Sequence, residues 1–523
     1  MYPGVHAATH PDKAAVIMAS SAQRVSYSEL ESRSNQLAHL LYERGLRRGD
    51  HMAVLMENNP RYFEVLWAAL RSGIYVTPIN WHLGANEAGY IIADCGARAL
   101  VTTAKLADLA RQLEPSLGAV STRLVVDGPI DGFESYEEAT ASQSTLALSE
   151  QFAGAVMFYS SGTTGRPKGI KPPLSAEPFG SPGGLGILLE HVYGFTADTR
   201  YLVPAPLYHA APTVWSIAAQ RLGCTIVVME QFDAQGALSD IEQFEITHAQ
   251  FVPTHFVRML KLDESVRTRY DLSSLQLVVH AAAPCPVEVK RQMMDWFGPI
   301  IWEYYAGSEG NGYVSASPQD WIDHPGTVGK ILGGAVHVLD EDAHELKAGE
   351  VGQLWFDNGA VFEYHNDPDK TKGAFNHVGW STLGDIGYVD DDGFVFLTDR
   401  VSHMIISGGV NIYPQEIENL LVMHPAVADV AVIGVPNDEW GEVVKAVVQL
   451  QVPGSGTDAL AQELIGYCRD ELAGFKCPRS VDFVDELPRL PSGKLMKRVL
   501  IDQYRSAEAK RIQSATASAH GVK

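Results

Sequence analysis

The stretch from Ala155 to Gly169 restricts the folds open to this chain more than any other. Ala155, Val156, Met157 and Phe158 form a short apolar run that predicts a buried strand. The chain then passes through Tyr159, Ser160, Ser161, Gly162, Thr163, Thr164 and Gly165 to reach Arg166-Pro167-Lys168-Gly169. Glycines let a backbone approach a ligand closely, and hydroxyls with free N–H groups suit phosphate oxygens. Lys168 adds a positive charge on a flexible stem. A Walker A loop would carry Ser or Thr after the lysine, where this chain has Gly169, so the P-loop NTPase reading fails. A solvated Ser/Gly linker would not end in Arg-Pro-Lys-Gly. The stretch reads as a phosphate cradle of another kind.

The elements around it alternate. Ser26 and Glu29 fit a capping box, and Leu30, Leu37 and Leu41 recur at helical spacing until Gly45. A strand over 52–56, a helix through Phe63, Leu66, Trp67 and Leu70, and strands at 75–78 and 99–101 follow. Strand–helix alternation predicts an α/β domain with a largely parallel sheet, whose ligands sit at the carboxyl ends of its strands. With 523 residues, 46% of them hydrophobic, the chain has room for a large N-terminal α/β domain and a smaller C-terminal one. Valine-rich strands at 427–435 and 443–452 belong to the second. Everything after about Ser506 is polar tail.

A net charge of -23 argues against a nucleic-acid partner and against docking on anionic lipid by charge alone. Cys95, Cys224, Cys285, Cys468 and Cys477 are scattered without a CxxC pair, the usage of reduced thiols. No apolar run reaches bilayer length and the first residues carry no signal-peptide pattern, so a cytoplasmic protein without an integral membrane segment is expected. A homodimer is compatible with this reading. The Pro/Gly/Ser-rich loop over 172–186 is long for a compact domain and is expected to be a lid or disordered. His248 and His255 sit among apolar residues and read as core histidines.

Six further motifs follow the cradle in order: Pro206-Leu207-Tyr208-His209, His280-Ala281-Ala282-Ala283-Pro284, Tyr305-Ala306-Gly307-Ser308-Glu309, Leu383-Gly384-Asp385, the run Asp399 to Glu418, and Pro491-Ser492-Gly493-Lys494. With 159–169 they resemble the signature set of the adenylate-forming superfamily, which includes acyl-CoA synthetases, peptide-synthetase adenylation domains and luciferases. The resemblance covers nearly the whole chain. It implies a 1–399 AMP-binding adenylation domain and a mobile 400–505 domain, with a hinge near Ser402 and a tail over 506–523.

It also implies roles. Ser160, Ser161, Gly162, Thr163, Thr164, Gly165 and Lys168 would cradle phosphates of ATP. Ala282 and Ala283 would pass along the adenine, and the face of Tyr305 suits stacking on it. Ser308 keeps the hydroxyl of the family's threonine, and Glu309 would hold Mg²⁺. Asp385 would accept both ribose hydroxyls, with Arg400 reaching the same sugar. His209 would sit beside the substrate carboxylate. Lys494 would bridge that carboxylate and the α-phosphate, and Gly408-Gly409 would line the path of the CoA thiol. The chain departs from the family's pattern at Ala306, Leu383, Ser402 and His403, and in lacking a histidine soon after the cradle. No aspartate accompanies the His209 motif, which disfavours an α-amino acid. Lys476, Arg479, Arg489, Lys494, Lys497 and Arg498 form the clearest basic concentration.

The function so implied is ATP-dependent activation of a carboxylic acid to acyl-AMP, with release of pyrophosphate, then thioester formation with CoA. Small residues at Ala281–Ala283, Ala306 and Gly307, where family members line the acyl pocket, point to a bulky apolar acid, fatty, aromatic or polycyclic. Transfer to a carrier-protein phosphopantetheine is the second reading. A non-catalytic acyl-adenylate-binding protein is the third, disfavoured by the retained Lys168, Glu309, Asp385, Arg400 and Lys494.

Overall fold

Ser26 starts the first long helix as the sequence predicts. Its hydroxyl accepts from Glu29 N at 3.1 Å while Glu29 Oε2 accepts from Ser26 N at 2.9 Å, a cap that stabilises by about 1 kcal/mol. The helix, Tyr27–Glu43, buries Leu30, Leu37 and Leu41 and is followed by Gly45 at φ 83°, a conformation that costs glycine least. The computed structural model describes residues 1–160, 166–400, 403–408, 410–437, 440–489 and 495–505.

Two large sheets share the N-terminal domain, where the sequence predicts one. The first has six parallel strands in the order Glu134–Ser135, Thr122–Val126, Ala97–Thr103, His51–Leu55, Tyr75–Ile79, Ala155–Val156. The second has nine: Lys330–Ile331, Tyr313–Ala316, Ile301–Ala306, Leu277–His280, His248–Phe251, Arg200–Val203, Thr225–Val228, Ala14–Met18, Arg24–Ser26. Its inner strands are parallel and its edge pairs antiparallel. Parallel strands are covered on both faces, which is why they read as unbroken apolar runs such as Tyr75–Ile79, buried throughout. The largest core takes Val54 and Val76 from one sheet, Val203 and Val228 from the other, and Trp67 and Trp215 from the helices Arg61–Arg71 and Ala210–Leu222. Trp67 Nε1 donates to Gln220 Oε1 at 2.7 Å, joining the two helices through a buried polar contact.

The apolar run 155–158 is not one strand. Ala155–Val156 adds to the parallel sheet, and after Met157 the chain enters Phe158–Ser160, which pairs antiparallel with Lys168–Lys171 in a separate three-stranded sheet. Four antiparallel strands, Ala335–Leu339, Gly352–Asp357, Asp385–Val389 and Val395–Arg400, complete the N-terminal domain. The smaller domain is built on the long hairpin Val427–Asn437 and Gly441–Leu450, flanked by Ile405–Ser407 and Ser480–Val484, with helices Pro414–Leu421 and Asp458–Glu471. Lys261 Nζ donates to Val427 O at 2.5 Å, tying the two domains.

The loop 172–186 is ordered, not disordered. Phe179 packs on Tyr2 at 5.0 Å and edge-on to Trp67 at 6.3 Å between ring centroids, and Arg71 stands over it at 5.7 Å. Arg221 donates to Met1 O and Ser181 O, and a helix begins at Gly184. Apolar burial of one aromatic residue fastens the loop to the start of the chain.

His248 and His255 are buried as expected. Burial pushes them down to about 4 and about 3, so both stay neutral. All five cysteines are free thiols. No helix among the described residues is long and apolar enough to cross a membrane.

Candidate functional site

The phosphate end is built on the hairpin Phe158–Ser160 and Lys168–Lys171, in which Ser160 pairs with Lys168 and Tyr159 with Gly169. A cradle that leads into a strand and not a helix explains why the Walker spacing is absent. Ser161, Gly162, Thr163, Thr164 and Gly165 lie outside the described residues. Ser160 Oγ is buried and without a partner among the described residues, which suits a hydroxyl awaiting a phosphate oxygen. Gly169 lets a third strand approach: a Cβ there would meet Tyr159 at 3.0 Å and His365 Cβ at 3.1 Å, and His365 N donates to Gly169 O.

That third strand, Glu363–Tyr364, leads into groups the sequence reading missed. Asp367 caps the helix Pro368–Gly373 by accepting from Lys370 N at 3.1 Å, and its Oδ2 pairs with Lys168 at 2.5 Å. The hydrogen bond from Lys168 holds the Asp367 carboxyl below its ordinary range, and the same bond raises Lys168. Tyr364 donates its hydroxyl to Glu309 Oε1 at 2.9 Å, and Lys370 stands 3.9 Å from the centre of the Tyr364 ring. Asn366-Asp367-Pro368, an Asx residue before a helix-starting proline, was the available signal.

At the ribose end Asp385 and Arg400 face each other across paired strands. Arg400 Nε donates to Asp385 Oδ1 at 2.7 Å and Tyr305 donates its hydroxyl to Asp385 Oδ2 at 2.6 Å. Burial opposes the Arg400 charge, but Asp385 raises its pKa overall. Burial, then Asp385, pushes the Tyr305 phenol far up, so it stays a donor. Each carboxylate oxygen keeps a free lone pair, which is the capacity two ribose hydroxyls need. Tyr305 is therefore a brace for Asp385 as well as an aromatic face. Glu309 joins the two ends, since its charge acts on Tyr305, Arg400 and Lys370 alike. Ser308 is exposed beside it.

The turn after strand Leu277–His280 places Ala282 at φ 75°, a conformation favouring glycine, so the alanine there is strained. Ala282 is exposed and Ala283 half-buried. Beneath them lies a buried triad: Lys290 Nζ to Glu303 Oε2 at 2.7 Å, His280 Nε2 to the same oxygen at 3.3 Å. Burial alone would raise Glu303, but His280 and Lys290 hold it well below the usual carboxylate range. Gly307 is covered by Leu383, whose methyls come within 2.7 and 2.8 Å of where a Cβ would stand, so leucine replaces threonine as packing for that glycine. Ala281 is buried in the core. Neither of these two small residues opens a pocket.

His209 is half-buried and precedes the helix Ala210–Leu222, 4.4 Å from Tyr208 between ring centroids. Asn58 and Tyr62 hold its motif: Asn58 accepts from Leu207 N at 2.8 Å and Tyr62 donates to Leu207 O at 3.0 Å. Hydrogen bonds do not join Ala282–Ala283 or Gly408 to the patch around Glu309 among the described residues. Gly408, at φ 57°, packs on Trp440, which a Cβ would strike at 2.6 Å. Gly409, Ser402 and Lys494 lie outside the described residues, as does the tail from 506 on. His403 faces Asp399 at 3.4 Å.

The basic concentration near the end is largely neutralised in place. Lys476 pairs with Glu416 at 2.6 Å, Lys497 with Glu418 at 2.8 Å, Arg489 with Asp429 and Arg498 with Asp502. These four are paired within the fold, Lys497 with Glu418 as a buried pair, and do not form a ligand patch.

A magnesium ion takes one or two carboxylates and fills its shell with phosphate oxygens and water. Glu309 fits: it is half-buried, its Oε1 is steadied by Tyr364, its oxygens are hard donors, and its charge acts on Lys370, a cation suited to phosphate.

Residues 5–364 match the AMP-binding enzyme family and residues 416–494 the AMP-binding enzyme C-terminal domain. The chain is 30% identical over 544 residues to a fatty acid–[acyl-carrier-protein] ligase of Streptomyces coeruleorubidus, covering 97% of this chain and 96% of the relative. It is 33% identical to a feruloyl-CoA synthase of an Amycolatopsis species, over 90% of this chain and 92% of that one. An anthranilate CoA ligase solved with anthranoyl-AMP superposes with a TM-score of 0.86 at 26% identity, over 97% of each chain. Fold and site define a two-domain, ATP-using ligase of the adenylate-forming class. The chain belongs to the AMP-binding enzyme family.

Proposed function

We propose that the protein is an AMP-forming acyl-CoA ligase acting on a bulky apolar or aromatic acid. The observation that carries this is Asp385, buried and fixed between Tyr305 and Arg400 with Glu309 alongside: a ribose anchor next to a metal-binding carboxylate.

Asp385 holds the sugar so that the α-phosphorus faces the incoming carboxylate. Preorganised orientation of this kind removes entropy from the barrier. The carboxylate oxygen attacks the α-phosphorus, the bond from that phosphorus to the bridging oxygen breaks, and pyrophosphate leaves with the electron pair. Mg²⁺, when bound at Glu309, neutralises phosphate charge. Lys168 leaves Asp367 for a phosphate oxygen, exchanging one anion for another. Lys494 meets the developing charge between the reacting oxygens. In the second step a CoA thiol attacks the acyl carbon and AMP departs, with Gly408-Gly409 on the thiol's path after the small domain turns.

The acid reading is supported by the relatives' named substrates, a fatty acid, ferulate and anthranilate. The test is CoA-dependent AMP release across a panel of carboxylic acids. Larger apolar acids are expected to lead in kcat/KM; a higher value for acetate than for every larger acid would sink the substrate reading. The carrier-protein ligase relative favours one second reading, transfer to a phosphopantetheine arm. AMP release with free CoA separates the two.

A further inference from the structure

Three cations stand at the nucleotide site, and two are already committed. Arg400 is bound to Asp385, and Lys168 to Asp367. Lys370 is different. Its ammonium lies over the Tyr364 ring at 3.9 Å, and among the described residues no carboxylate oxygen comes within ion-pair reach of it. The ring that carries the ammonium on its face presents its hydroxyl to Glu309 Oε1 at 2.9 Å. The lysine is thereby held beside the proposed metal carboxylate. A ring face stabilises an ammonium by only a fraction of what a counter-anion supplies.

Lys370 and Lys168 are also bound to one residue. Asp367 Oδ1 accepts the Lys370 backbone N–H while Oδ2 takes the Lys168 ammonium, so the helix that carries Lys370 and the hairpin that carries Lys168 meet at this aspartate. The two lysines repel: burial lowers the Lys370 pKa, Glu309 opposes that, and Lys168 adds to it. Two neighbouring ammoniums, one of them without a carboxylate, form a site that a polyanion would relax. The compact charge of lysine suits phosphate oxygens of variable position.

Resting on the reading that this site binds ATP, we propose that Lys370 is a second phosphate-binding lysine, which grips the β- and γ-phosphates and then the leaving pyrophosphate. When the acid's oxygen bonds to the α-phosphorus, the bond to the bridging oxygen breaks and its electron pair goes to pyrophosphate. Lys370 is placed to stabilise that growing charge, while the ribose anchor 385/400 holds what remains as AMP.

AMP lacks both outer phosphates, which makes the test independent of the unknown acid. MgATP and AMP are titrated calorimetrically into the full chain, wild type, Lys370→Gln and Lys370→Arg. Lys370→Gln is expected to weaken MgATP by about tenfold or more, the scale of a hydrogen bond to a charged group, and to leave AMP unchanged. Lys370→Arg should recover most of the loss. Unchanged MgATP affinity in Lys370→Gln overturns the proposal. Equal weakening of MgATP and AMP overturns it too, because the lysine would then be structural. A wild-type chain that binds neither nucleotide would instead overturn the proposed function.

Discussion

The two ends of the nucleotide site are made differently. At the proposed ribose end a buried carboxylate is clamped by Arg400 from the paired strand and by Tyr305 from the nine-stranded sheet, so it is already in place for a sugar. At the phosphate end the lysine is more exposed, sits at a hairpin, and is occupied by Asp367, a carboxylate that a phosphate must displace. On the proposed reading one end is rigid and would bind what every nucleotide in the reaction shares. The other would exchange partners, which suits groups that arrive with ATP and depart as pyrophosphate. Preorganisation belongs where the ligand stays; a replaceable ion pair belongs where it leaves.

The largest test of that contrast concerns Lys494, the lysine proposed to meet the reacting oxygens. Lys494→Ala should abolish ATP–pyrophosphate exchange, a barrier increase of about 3–4 kcal/mol by analogy with a lost oxyanion donor. CoA transfer from chemically made acyl-adenylate should survive. If both half-reactions fall equally in a folded variant, Lys494 is structural or the domain does not turn.

Asp385→Ala should weaken ATP and AMP binding alike, by roughly 1.5–3 kcal/mol, because the ribose is common to both. Calorimetry on both nucleotides checks it. A variant that loses ATP affinity but keeps AMP affinity would erase the distinction between the two ends.

The smallest effect is expected at the exchangeable pair. Asp367→Asn keeps an oxygen that caps the helix Pro368–Gly373 but releases Lys168 from its counter-charge. MgATP affinity should rise by about fivefold at most, the scale of an exposed ion pair, with AMP unchanged. A fall in MgATP affinity would mean that Asp367 positions Lys168 and does not compete for it.

How much of this was written in the sequence can be judged residue by residue. The hydrophobic alternation marked both α/β domains, and Ser26 with Glu29 marked the helix start, because caps and periodicity act over a few residues. Lys168, Glu309, Asp385 and Arg400 were legible because each sits in a motif with its neighbours. Asp367, Tyr364 and Lys370 were not. They reach the site only because Glu363–Tyr364 adds to the hairpin edge at Ile170–Lys171, a pairing between residues about two hundred positions apart. The loop 172–186 misled for the same reason, since Phe179 is fixed by Tyr2 and Trp67, both remote in the chain. The pairing of the basic run near the end was not legible, because the counter-charges Glu416, Glu418 and Asp429 lie on other elements.

By itself, then, the sequence determined the family, and it set out the proposed chemistry: a glycine- and hydroxyl-rich cradle, one carboxylate expected for a ribose and another for a metal, in family order. Those choices are local, set by what each side chain can donate or accept. Tertiary structure alone decided which charges are already spent and which remain for a ligand. Lys168 and Arg400 look equally available in the sequence, and both are paired in the fold. Lys370 looks like a helix-surface lysine, and the fold sets it over Tyr364 beside Glu309. Electrostatic pairing falls off over a few ångströms of space, a distance that spacing along the chain does not encode.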